Sequence, residues 1–172
     1  VGVVSAVIMN VLVKNIQDYV LNNQKKKAYS EFLRVFEELK FNDEFIENST
    51  NANARTNFRT IQEKFKVVKS CSNAVTQGCW TDSCNSQYND CVGTIASSNN
   101  QARDFGFVDS AGRQWVRYKT DANLWILVDI NGDKKPNLMR KDRFYLQLCG
   151  NKSGQCQYQK LIYVRPVYLN LN

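Results

Sequence analysis

From residue 1 the chain reads VGVVSAVIMNVLV, thirteen positions of which only Ser5 and Asn10 are polar. A run of that length falls short of the roughly twenty apolar residues that span a bilayer. It also lacks the basic front of a signal peptide. Beyond it the apolar positions narrow to a stripe: Ile16, Tyr19 and Val20, then Tyr29, Phe32, Leu33, Phe36 and Leu39, near the helical period. No Pro or Gly interrupts residues 3–47, and Lys25, Lys26 and Lys27 cut the stripe about midway. The pattern predicts one helix of about forty residues, roughly 60 Å long at 1.5 Å per residue. Its first third is apolar all round and its second half is one-faced. Such a helix fits two environments, lipid or a helix bundle first and a globular core second; an ordinary buried core helix is the simpler alternative. An apolar run that starts at residue 1 also leads us to expect chain upstream of it.

The texture then changes. ENSTNANARTN, residues 47–57, is polar and turn-rich and predicts a loop, with a glycosylation sequon at Asn48-Ser49-Thr50. Phe58, Ile61, Phe65 and Val68 recur at helical intervals and predict a second helix at about 55–70. Residues 71–100, rich in Ser, Asn and Cys, predict a disulfide-held loop. From Phe105 the pattern alternates, with turn signals at DSAG and TDAN. RQWVRYK, LWILVDI, RFYLQLC and KLIYVRPVYLNL predict about four strands, Pro166 marking the last as an edge or its end. The fold class expected is α+β. A long N-terminal helix packs on a small antiparallel sheet, with a helical and disulfide-containing loop region between. Residues 1–24 form the hydrophobic helix half and residues 25–172 the globular head.

Composition narrows the chemistry. There is no histidine, which excludes Ser-His-Asp and Cys-His nucleophile systems. The net charge of +7 is uneven: residues 1–47 carry −1, 48–70 carry +4, 71–100 carry −2 and 101–172 carry +6. Positive charge in the middle and at the end could attract nucleic acid or an anionic surface, or simply form a solvated face. The six cysteines, Cys71, Cys79, Cys84, Cys91, Cys149 and Cys156, favour disulfides over a zinc site, since no second C-x2-C pair follows. That implies an oxidising compartment. Proximity suggests Cys71–Cys79 with Cys84–Cys91, although three pairings of those four are open. Cys149 and Cys156 bracket a short turn-rich loop.

LVDINGDKKPN, residues 127–137, alternates oxygen donors. Against a helical calcium hand, Asp129, Asn131, Asp133 and Asn137 occupy donor positions. Lys134 stands where the loop needs glycine and Arg140 where it needs an acid, and the flanks read as strands. Two readings remain. One is an oxygen cage for calcium made by Asp129, Asn131, Asp133 and Asp142. The other is an Asx turn with Gly132 at positive φ and Pro136 fixing the exit.

Together these parts resemble the type IV pilins and the pseudopilins of type II secretion. VGVVSAVIMNVLVKNIQDYV is similar to the later portion of their hydrophobic N-terminal helix, without the methylated phenylalanine and the assembly glutamate. FKVVKSCSNAVTQGCW resembles a pilin-like segment in which two cysteines precede a tryptophan. VDINGDKKPNLMRKDRFYLQL resembles the family's C-terminal signature, carried here by Asp129, Asn131, Gly132, Pro136, Asn137, Asp142 and Phe144. It departs from that signature at Lys134, Lys135, Met139 and Arg140.

The resemblance implies a non-catalytic filament subunit of a pilus or of a protein-secretion apparatus, held by a single transmembrane helix in the inner membrane with a periplasmic head. It would then be moved by the inner-membrane assembly machinery into an extracellular or periplasmic filament. Val1, Val4, Val7, Ile8, Val11 and Leu12 would pack with copies of the chain and other pilin-like subunits. It also raises calcium as a cofactor of the C-terminal sheet region. Two alternatives compete. The basic head, with Trp115, Tyr118 and Tyr145, could stack on DNA. A secreted hydrolase would need a carboxylate pair such as Asp104 with Asp109 in a cleft.

Overall fold

The computed structural model describes residues 2–46, 50–81, 105–118, 124–149 and 163–167. Helix α1 spans Gly2–Phe41 without a break, as the uninterrupted pattern predicts. Ala28, Phe32, Val35, Phe36 and Leu39 share one face and are buried. Met9, Val11, Leu12, Val13, Ile16, Tyr19 and Val20 are exposed, Val11 and Leu12 to 55% each. Gly2–Phe41 is nonetheless not long and apolar enough to cross a membrane. Among the described residues there is therefore no single transmembrane helix of the kind the resemblance implies: Lys14 and Asp18 follow the apolar run too closely, and the lysine triplet comes after them.

Helix α2 spans Asn51–Glu63 and begins inside the segment expected to be a loop. The polar run there is a capping signal: Thr50 Oγ1 accepts from Asn53 N at 3.1 Å, satisfying one of the free N–H groups of the first turn. Ala54, Phe58 and Ile61 give α2 its buried stripe. The helix ends before the predicted residue 70. Strand β1, Val67–Cys71, takes over, because two adjacent β-branched valines suit a pleated strand. Phe65 still reaches the core, so its helical spacing concealed the switch.

Among the described residues the sheet has six strands, where about four were expected. β1 is followed by β2 (Gly106–Asp109), β3 (Gln114–Tyr118), β4 (Leu124–Asp129), β5 (Arg143–Cys149) and β6 (Tyr163–Val167), in spatial order β1 to β6. Every neighbouring pair is antiparallel. The four predicted strands are β3 to β6; β1 was hidden by the helical spacing that runs through Phe65 and Val68, and β2 has only four residues in which to alternate. Pro166 sits in β6, opposite Leu146 of β5, and among the described residues β6 is the last strand of the sheet, where a proline is tolerated.

One sheet face packs on the helices. Trp115 stacks on Phe32 and Phe107 at 6.1 and 5.8 Å between ring centroids and meets Phe65 at 4.9 Å. The other face carries Val116, Leu127 and Tyr145 beneath Trp80, Met139 and the Cys71–Cys79 disulfide. That bridge is the predicted first pairing. Cys84, Cys91 and Cys156 lie outside the described residues, and of Cys149 only the backbone is described.

Candidate functional site

Strand β4 delivers Asp129 to the edge of a turn that returns the chain to β5. Asp129 is fully buried; its Oδ2 accepts from Arg143 Nε at 2.6 Å, and its Oδ1 from Asn131 N at 3.2 Å. Gly132 has φ +65, and a Cβ there would stand 2.7 Å from Gly112 O, so both conformation and space call for glycine. The Lys135–Pro136 bond is cis, and Asn137 has φ 51. With its amide turned so that the nitrogen faces these acceptors, Asn137 has Lys134 O (2.8 Å), Gly132 O (3.0 Å) and Asp129 Oδ2 (3.2 Å) within reach of its two N–H donors. Asp142 closes the turn from the far side, its two oxygens accepting from Asn137 N and Leu138 N at 2.6 Å each. Phe144 follows in the core.

The four residues expected to cage calcium therefore have separate tasks. Asp129 and Asp142 hold Arg143 and backbone N–H groups. Asp133 turns outward, where its Oδ1 accepts from Gln114 Nε2 at 2.9 Å and from the Thr81 hydroxyl. Asn131 donates to Lys135 O at 3.3 Å and leaves one buried acceptor, Oδ1, without a hydrogen bond. Among the described residues no group of three or more acidic or cysteine side chains is arranged to hold a metal. Burial pushes the Asp129 carboxyl up to about 6, with the nearby Asp142 charge adding to the rise and Arg143 opposing it. Hydrogen bonds from Thr81 and Gln114 hold Asp133 below the usual carboxylate range.

The residues that connect this turn to the rest of the molecule were not legible beforehand. Arg143 lies 4.4 Å above the Trp80 ring and donates to Thr81 O at 2.7 Å, so it ties the disulfide loop to the turn. Lys25 is buried on α1 and donates to Arg140 O at 3.0 Å. Burial lowers its ammonium's proton affinity, opposed by Asp142 and Asp18. Glu31 pairs with Arg113 at 2.6 Å, Arg113 with Asp109 at 2.6 Å, and Asp109 accepts from Trp115 Nε1 at 2.9 Å. These links clamp the second half of α1 to the sheet. The one signal for them in the sequence was Lys25, a charge on the same helical stripe as Ala28 and Phe32.

The clamp leaves the first half of α1 projecting. Where it departs, an open groove of about 910 Å³ runs between the helix and the sheet. It is lined by Val20, Leu21, Val68 and Ile130, by amides including Gln17, Gln24 and Gln114, and by Lys69, Lys134 and Lys135. The chain matches no family model, no curated protein and no solved structure. Its function therefore rests on its own geometry.

That geometry places the other candidates. Val11 and Leu12 lie on the exposed helix; Val4, Val7 and Ile8 lie in α1, where only the backbone is described, and Val1 lies outside the described residues. Trp115 and Tyr145 are buried. Their rings are engaged in the core and present no face for stacking a base, which corrects the surface role expected of them. Of Tyr118 only the backbone is described. Asp109 is committed to Arg113 and Trp115, while Asp104 lies outside the described residues.

Proposed function

We propose that this chain is a non-catalytic structural subunit of a type IV pilus or type II secretion pseudopilus. One observation carries the reading: a 40-residue helix whose second half is clamped into a globular head while its first half exposes a run of large apolar side chains. Seven such residues from Met9 to Val20 form a surface that water disfavours. Lipid or the same helix of other copies can cover it. Staggered helices of one kind associate head to tail without closing, which generates a fibre. On this reading the apolar half lies against inner-membrane lipid without crossing the bilayer by itself, and the head faces the periplasm, until the assembly machinery moves the subunit into a filament. The disulfide fits that compartment. Copies of the chain and other subunits of the same kind are the partners, and no cofactor is required.

The test is association of the whole chain. Val11→Asp with Ile16→Asp places two charges on the exposed run and leaves the head core untouched. We expect the parent chain to sediment as large species, or to need detergent to stay dispersed, and the double variant to sediment as a folded monomer. Equal association of the two would sink the proposal.

A further inference from the structure

The far end of α1 and the groove at its midpoint are complementary. Phe41, the last residue of the helix, is 89% exposed, more than any other large apolar side chain among the described residues. Its setting is acidic: residues 37–46 include Glu37, Glu38, Asp43 and Glu44 against the single cation Lys40. Lys64 engages Glu38 and Glu44 at 3.3 and 2.9 Å. Glu37 is 3.8 Å from Lys40, and both Glu37 and Asp43 face solvent. The groove has the opposite character. Its lining mixes apolar side chains such as Val20 and Val68, the latter 65% exposed, with the amides Gln17, Gln24 and Gln114, and its three lysines, Lys69, Lys134 and Lys135, are exposed. Among the described residues its one acid, Asp133, is already hydrogen-bonded to Gln114 and Thr81.

We infer that the Phe41 end of one copy seats in this groove of the next copy, the ring against its apolar side chains and Glu37 and Asp43 against its lysines. Residues 20 and 41 lie about 30 Å apart along one straight helix at 1.5 Å per residue, so a copy cannot fill its own groove. Knob and groove are different surfaces. The contact is therefore heterologous: each copy offers one knob and one groove, and where the rotation between copies does not close, the chain of copies grows open-ended. The inference rests on the subunit reading and adds a second contact to it: the exposed run of α1 packs sideways, and the knob and groove set the spacing of the heads. Lysines beside apolar side chains favour fast, salt-sensitive docking in one register.

A photoreactive benzoylphenylalanine at position 41 of the full chain tests this. An equal mixture of isotope-labelled and unlabelled copies is irradiated at a concentration where sedimentation shows association. Mass spectrometry then maps the crosslinks between copies. Crosslinks to residues 16–24 or 130–136 support the contact. Crosslinks to another surface of the second copy overturn it and leave the subunit reading standing. Absence of association between copies overturns both. As a second arm, Lys134→Glu with Lys135→Glu weakens association by about tenfold and more at low salt than at high, and mixing with a Glu37→Lys, Asp43→Lys chain restores it. All four positions are exposed, so circular dichroism should show the fold unchanged. Failure of the swapped pair to restore association would also overturn the contact.

Discussion

Gly132 is held at φ +65 with another backbone oxygen where its Cβ would be, so little freedom remains at the turn. Gly132→Ala should cost about 1–3 kcal/mol from the backbone conformation alone, read as a lower denaturant midpoint with an unchanged slope. A shift within error would show that Gly112 moves aside freely. Asp129 gives a second residue-scale expectation, with its sign set by burial. Its folded-state affinity for a proton, at about 6, exceeds the ordinary 3.8. Between those values the folded state holds a proton that the unfolded state has released. Asp129 therefore adds stability as pH falls from about 6 toward 4, and that contribution is lost as pH rises through 6, by about 1.4 kcal/mol per unit at most. The stability of the parent relative to Asp129→Asn should rise on acidification across that window. The opposite slope would mean that the Arg143 ion pair outweighs burial. At this scale the sequence displayed the Asx-Gly turn and its proline. It did not display Arg143 as the partner of Asp129, because a residue fourteen positions away across a ladder leaves no periodic trace.

At the scale of elements, the chain between α1 and the sheet shows how local signals compete. Thr50 heads a polar run that looks like loop, yet its hydroxyl caps α2. Thr50→Ala should destabilise the protein by about 1 kcal/mol, and Thr50→Asp should recover most of it in the same unfolding assay. Equal stability of Thr50→Ala and the parent would remove the cap from the account. Residues 65–71 carry the converse lesson. Phe65 and Val68 continue a helical spacing, but only Phe65 enters the core; Val68 faces out from a strand paired with β2. Hydrogen bonding across the sheet outweighed a marginal periodicity. The long helix had no such competition, and forty uninterrupted positions were legible from end to end.

For the whole molecule, two halves of one helix live in different surroundings. The head half is held by Phe32 on Trp115, by Lys25 on Arg140 O and by the Glu31–Arg113–Asp109 chain. The other half carries its apolar run into the surroundings, and on the proposed function it associates there. The turn at Asp129–Asp142 belongs to the head's own framework, because its carboxylates are spent on Arg143 and on backbone N–H groups. Removing divalent cations with a chelator should therefore leave the melting temperature unchanged. A fall of several degrees would assign a calcium ion to the turn, with Asn131 Oδ1 as its free acceptor.

The sequence by itself determined the long helix, its change from apolar all round to one-faced, four of the strands, the preference of its cysteines for disulfides and the absence of histidine chemistry, while the Cys71–Cys79 pairing, one of three left open, came from the structure. Each feature read from the sequence is a local or compositional property: periodicity, alternation, the number and spacing of the cysteines, or a missing residue type. Only the tertiary structure decided that α2 starts at a cap, that 67–71 pairs as a strand, that Trp115 and Tyr145 are core and not surface, and that three oxygen donors of the turn serve arginine, glutamine and backbone. It also decided that a lysine-bearing groove opens beside the projecting helix. Those outcomes depend on which distant residues meet, and burial and hydrogen bonding between them exceed the energy of any local preference.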